Sequence, residues 1–213
     1  MQDTILVFCA HSDDEILGMG GTIANYIKDD KKVVTIIFSK GEKSVPWLNE
    51  KYLANLRKKE AHKINDEIGQ REIIFLELKD FELVRQIEKE NIKERIKKII
   101  LKYKPVKIFT HSPDYHLDHR TVFKTMLEVV DSLDKRYPVY TFDVWKMIDA
   151  PQNMPKLYIN ITKTFSSKIN ALKQFKSQLL FSIYPLMPSM YFKAIYNGYK
   201  NKCKYAELFY KVR

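Results

Sequence analysis

Apolar positions along the chain alternate between two kinds of pattern. Short runs rich in β-branched and aromatic residues, TILVFCA (4–10), VVTIIF (33–38), EIIFLEL (72–78), VKIFT (106–110) and PVYTFDV (138–144), have the length and composition of buried strands. Between them lie longer segments with helical spacing, over 16–29, 49–68, 83–103 and 119–134. In the third of these, Leu83, Ile87, Ile92, Ile96, Ile99, Ile100 and Tyr103 follow the helical period except at the step from 87 to 92, which marks a break. Strands alternating with helices of this length predict βαβ units and an α/β fold: a Rossmann-like, doubly wound, mostly parallel sheet flanked by helices. A chain of 213 residues fills one such domain and is short for two. The segment FSIYPLMPSMYFKAIYNGY (181–199), rich in Tyr, Met and Pro, reads as a C-terminal extension beginning at about 181. Core packing, a lid, a hydrophobic substrate contact or a membrane-facing surface are its candidate roles.

In doubly wound folds, ligands bind beyond the carboxyl ends of the strands, where the strand order reverses. The loops after the first and fourth predicted strands are therefore the places to search. Four of the five histidines fall there: His11 in Ala10-His11-Ser12-Asp13-Asp14-Glu15, and His111, His116 and His119 in the loop 111–119, which also carries Asp114 and Asp118. Three consecutive acids repel one another and are costly to desolvate without a cation. A helix N-terminus would account for one or two of them through the helix dipole, but not for the histidine that precedes them. A divalent metal accounts for the whole set. Catalytic zinc takes three protein ligands and keeps an open position. His11, Asp14 and His119 would supply two imidazoles and a carboxylate, a set that also suits iron(II). Asp13, facing away from its neighbour Asp14, is the candidate proton acceptor. His116 is placed to stabilise an oxyanion or to protonate a leaving nitrogen. Gly18, Gly20 and Gly21 lie after the acidic loop rather than in it, so helix packing explains them better than a dinucleotide site.

These residues carry a family resemblance. AHSDDE (10–15), followed by ILGMGGTIA, resembles the Ala-His-Pro-Asp-Asp-Glu motif of the LmbE/PIG-L-like de-N-acetylases. His116-Leu117-Asp118-His119 resembles their His-Pro-Asp-His. Ser12 and Leu117 stand where the family motifs carry proline, and neither change removes a ligand. The resemblance implies a zinc-dependent hydrolase that removes an acetyl or other acyl group from the amide nitrogen of an amino-sugar conjugate. It implies His11, Asp14 and His119 as metal ligands, Asp13 as general base, and His116 as oxyanion or acid histidine with Asp118 as its orienting partner. Arg57, in an Arg-x-x-Glu pattern with Glu60, is implied as a substrate-facing residue.

Charge and cysteine usage narrow the setting. The formal net charge is +11, mostly lysine spread along helix faces. Arginine, the usual bidentate reader of bases, is scarce, so no specific nucleic-acid partner is expected. Two cysteines provide no disulfide framework, and there is no signal-peptide pattern or membrane-length apolar run. A cytoplasmic enzyme acting on a small amino-sugar conjugate, with homo-oligomerisation open, is the expectation. The competing reading is a metal-binding or basic interaction module without catalysis.

Overall fold

The computed structural model describes residues 2–69, 72–146 and 153–213. At its centre β1 (Thr4–Cys9) is buried along its whole length, and β2 (Lys32–Ser39) along all but its first residue. Strands apolar on both faces need helices on both sides, which is the signature of a parallel α/β sheet. Alternation along β1 divides the core: Ile5, Val7 and Cys9 join one apolar cluster, and Leu6 and Phe8 the other. With β3 (Glu72–Leu78), β4 (Lys107–His111), β5 (Val139–Phe142), β6 (Lys156–Asn160) and β7 (Ala206–Lys211), the sheet runs β3-β2-β1-β4-β5-β7-β6. The first five strands are parallel; β7 is antiparallel to both β5 and β6. Strand order reverses at β1 and β4, so their carboxyl ends open a crevice between them.

The helices follow the predicted pattern: α1 (Asp14–Lys28), α2 (Glu50–Ile68), α3 (Leu83–Lys89), α4 (Ile92–Tyr103) and α5 (Leu117–Asp131). The break expected within 83–103 separates α3 from α4, where Asn91 takes a left-handed conformation at φ 52°. Asparagine tolerates that region better than most residues. The C-terminal third, where the sequence predicts an extension from about 181, is largely helical before its last strand. After α6 (Phe165–Leu172), a 3-10 turn (Lys176–Gln178) and a π-helical turn (Leu179–Ile183) lead into α7 (Tyr184–Lys200). α7 packs on β7 and delivers it between β5 and β6, so the residues beyond 200 complete the sheet rather than trail from it.

α1 is kinked at Met19, where φ is −147°. The kink costs the Gly21 and Thr22 N–H groups and the Leu17 carbonyl their places in the helical ladder. The Glu207 carboxylate accepts from both N–H groups at 3.2 and 2.8 Å. Lys168 Nζ donates to the Leu17 carbonyl at 2.7 Å and to Glu207 at 2.7 Å. This buried ion pair thus satisfies backbone groups that the kink would otherwise orphan. A Cβ at Gly21 would lie 2.8 Å from Ile161, so the glycine lets α1 approach the chain just after β6, as the packing reading expected.

Candidate metal centre

His11 and Asp14 leave the end of β1 together, because α1 begins one residue after the N-cap Asp13. Asp14 folds back so that its Oδ2 accepts the His11 N–H at 2.7 Å and lies 3.3 Å from His11 Nδ1. From the other side of the crevice, α5 presents His119, whose Nε2 lies 3.4 Å from Asp14 Oδ1. The three residues are brought together with ligand atoms within 4.8 Å of one another. Two zinc bonds of about 2.0–2.1 Å at a tetrahedral angle would separate donor atoms by about 3.3–3.4 Å, the spacing these contacts show. The buried His119 Nε2 has no hydrogen-bond partner among the described residues, while its Nδ1 pairs with Asp114 Oδ2 at 2.7 Å. A carboxylate on one ring nitrogen and a free second nitrogen is the arrangement of a metal-binding histidine. The donor chemistry, the spacing and the orphaned nitrogen all fit a divalent cation.

A second possible group, His11, His116 and Asp118, shares His11. The first group suits a metal better. All three of its members are buried or nearly so, whereas His116 is only partly buried, and both of its imidazoles have their other nitrogen facing carboxylate. His11 Nε2 lies 3.4 Å from Asp80 and 3.5 Å from Asp118.

The electrostatics match an anionic hole. Burial opposes charge on His11, yet hydrogen bonds with Asp118, Asp14 and Asp80 hold its pKa well above the usual value. Burial also opposes charge on His119, but Asp14 and Asp114 outweigh it and bring the pKa up to about 9. For Asp14, burial is overcome by His119 and His111, and its pKa falls well below the carboxylate range. His111 is pushed down to about 4 by burial and by His119, on which it stacks at 3.9 Å. It accepts the Ala10 N–H at 3.0 Å and stands behind Asp14 at 3.2 Å.

The remaining expected residues take specific places. Asp13 occupies the N-cap position of α1 but makes no capping bond. Its Oδ1 pairs with Arg57 at 3.0 Å, and its Oδ2 accepts from Ser182 Oγ at 3.1 Å. Arg57 lines the cavity, but it is 3% exposed and its guanidinium is held by Asp13, the Gly41 carbonyl and Ser12 Oγ. Its charge is therefore paired with Asp13 rather than offered to the cavity as a free cation. Its neighbour one turn away, Glu60, bonds instead to the N–H and hydroxyl of Ser177, so the two do not form a local surface pair. His116 caps α5, its Nδ1 accepting the Asp118 N–H at 3.2 Å. In the neutral ring the proton then sits on Nε2, leaving a donor available. Burial, then His11 and His119, lower its pKa. The contact from Asp118 to His116 runs through the backbone N–H. The Asp118 carboxylate turns instead to His11 and to the Phe81 N–H, 3.1 Å away, because the short step from 116 to 118 at the helix start aims the side chains apart.

Sequence reasoning assigned no role to Asp80 or Asp114. Asp114 lay within the loop already singled out. Asp80 follows β3 directly, and the strand-end rule applied to that strand would have found it. It bonds to Ser39 and the Lys43 N–H. Ser182, which lines the same cavity, gave no signal, since it lies 169 positions from Asp13; Gln178, also in the lining, belongs to the Ser177-Gln178 pair that looks familial in the sequence but was given no role there. The cavity measures about 240 Å³ and is lined by His11, Asp13, Asp14 and His116 together with the exposed aromatics Phe81, Trp145 and Phe181.

Residues 6–130 match the family described as PIG-L, GlcNAc-PI de-N-acetylase. The probable N-acetyl-alpha-D-glucosaminyl L-malate deacetylase 2 of Bacillus cereus is 26% identical over 188 residues, which cover 84% of this chain and 84% of the relative. The N,N'-diacetylchitobiose deacetylase of Pyrococcus horikoshii superposes with a TM-score of 0.84 at 22% identity, covering 99% of this chain and 84% of that one. GalB, the 4-carboxy-2-hydroxymuconate hydratase of Pseudomonas putida, superposes with a TM-score of 0.82 at 19% identity, covering 100% and 97%. At these identities the two superpositions establish the fold alone.

Proposed function

This chain belongs to the PIG-L family of de-N-acetylases, and we propose that it is a zinc-dependent hydrolase that cleaves the N-acetyl amide of an amino-sugar conjugate, releasing acetate and a free amine. A hydratase shares the fold, so fold alone does not select the reaction. The observation that carries the reading is a buried His-Asp-His cluster, two of whose members, His11 and Asp14, line an open cavity together with a separate carboxylate, Asp13. A module that only stored metal would need no such second carboxylate.

His11, Asp14 and His119 would hold the ion. When bound, zinc supplies Lewis acidity, polarising an amide carbonyl and bringing the pKa of a water ligand to about 7. Asp13 is the proton acceptor: Arg57 and Ser182 hold both of its oxygens at the cavity wall, so its direction is set before substrate arrives. His116 offers Nε2–H to the developing oxyanion or to the departing nitrogen. Asp114 fixes the ring plane and tautomer of His119, and Asp80 with Asp118 does the same for His11. The exposed faces of Phe81, Trp145 and Phe181 at the mouth suit the apolar face of a sugar ring. Iron(II) suits the same donor set, so metal identity belongs to the test.

The test measures metal content by elemental analysis and acetate release from a panel of N-acetylglucosamine derivatives: free, nucleotide-linked, aryl-linked and lipid-linked. Stoichiometric metal with acetate release from at least one member is expected. Metal without release from any member would favour the non-catalytic module, and no metal would remove the site.

A further inference from the structure

α7 is apolar on two faces where a surface helix is apolar on one. Its inner stripe, Leu186, Met190, Ala194 and Gly198, is buried as expected. Its outer stripe should be polar. Instead it carries Tyr184, Phe192, Ile195, Tyr196 and Tyr199, which are 49, 52, 53, 50 and 78% exposed. At helical spacing these five positions share one face, with Pro185 and Pro188 between them, along a helix about 26 Å long. The stripe continues past the helix start through Leu180, 70% exposed, to Phe181, which lines the catalytic cavity and packs against Trp47. A contiguous exposed apolar strip of this kind marks a surface that meets something.

The charge around the strip says what. Residues 150–206 contain nine lysines and no Arg, Asp or Glu, so this stretch supplies nine of the net +11 charges of the chain. Lys168 and Lys193 turn inward to Glu207 and Asp143. The other seven are exposed, and five of them flank the strip along the chain: Lys173 and Lys176 before α7, and Lys200, Lys202 and Lys204 at and just past its far end. Aromatic residues with flanking lysines, on a helix with no acid of its own, match the interface of an anionic bilayer. Among the described residues no helix is long and apolar enough to cross a membrane, so the fitting geometry is a helix lying in the interface plane.

We propose that the outer face of α7 docks this protein onto anionic lipid bilayers, with the mouth of the cavity beside the lipid surface. The inference rests on α7 and its lysines and stands whatever the reaction. Nucleic acid would use the lysines and leave the aromatic strip uncovered. A second copy would bring the lysines that flank the strip against their like.

The experiment is co-sedimentation of the full-length protein with vesicles of phosphatidylcholine alone and of phosphatidylcholine mixed with phosphatidylglycerol. Binding to the mixed vesicles, weakened by salt, is expected, with little binding to the neutral ones. Phe192→Ser combined with Tyr199→Ser should reduce binding at least about tenfold. Replacing Lys200, Lys202 and Lys204 with Gln should reduce it on the order of a hundredfold. All five side chains are exposed, so thermal melts should match those of the unmodified protein. Failure to bind the mixed vesicles, or undiminished binding by both variants, overturns the proposal. So does a lipid-free dimer in sedimentation velocity that the Phe192→Ser/Tyr199→Ser variant dissociates, which would assign the face to a second copy.

Discussion

The contact between Asp114 and His119 makes the sharpest test of the metal centre. Asp114 Oδ1 accepts the His116 N–H at 2.8 Å, while Oδ2 pairs with His119 Nδ1 at 2.7 Å. In Asp114→Asn the amide oxygen can keep the first bond, which leaves the amide NH2 facing Nδ1. An N–H there is a donor where the imidazole needs an acceptor. The neutral ring answers by moving its proton to Nε2, the nitrogen that faces Asp14 and that a metal would use. The variant therefore loses both the orienting carboxylate and the correct tautomer. Loss of such a contact costs about 10–100-fold in metal affinity, which is roughly 1.4–2.7 kcal/mol; with the tautomer also wrong, the upper end is expected. Size and the His116 bond are retained, so the fold should persist. Competition of the protein with a chromophoric chelator for zinc reads the affinity, and circular dichroism reads the fold. A folded Asp114→Asn that binds zinc within about threefold of the unmodified protein would refute the reasoning.

Four further outcomes follow from the geometry. Asp14→Asn should lose metal, whereas Asp13→Asn should stay loaded and slow by about 10²–10⁴ in kcat; metal analysis beside kinetics checks both, and full activity in Asp13→Asn would end the general-base assignment. Arg57→Ala should keep metal and lower kcat/KM because Asp13 loses its orienting partner, and Arg57→Lys should not fully restore it, since a single ammonium lacks the fork by which three separate nitrogens reach Ser12, the Gly41 carbonyl and Asp13. Unchanged kinetics in Arg57→Ala would remove Arg57 from the site. Lys168→Met should destabilise the fold by about 3–5 kcal/mol, by stranding the Glu207 carboxylate and the Leu17 carbonyl; chemical denaturation with a change below about 1 kcal/mol would show that the pair does not splice the kink in α1. Gly41→Ala should weaken folding by about 1–2 kcal/mol, from a left-handed backbone at φ 69° and a Cβ placed 2.6 Å from the Arg57 guanidinium, with activity falling alongside.

Much of this protein was legible without coordinates, and the reason is locality. Strand and helix periods depend on neighbours within a few residues, so β1 to β5 and α1 to α5 fell close to their predicted positions, and the break before Ile92 showed as a missed helical step. The strand-end rule then brought His11, Asp14 and His119 to one crevice, because a parallel sheet with a reversal at β1 and β4 leaves its ligands little choice of location. What the sequence could not determine depended on partners distant along the chain. β7 lies in the sheet because β5 and β6 each leave an edge for it, a pairing with no local period to announce it. Arg57 and Ser182 meet at Asp13 from 44 and 169 residues further along the chain. The Asp118 carboxylate faces His11 rather than His116 because the opening turn of α5 aims it there, and spacing in a motif carries no such direction. The outer face of α7 is the same lesson in reverse: composition marked 181–199 as apolar, and only packing revealed which half of that apolar surface the core left uncovered.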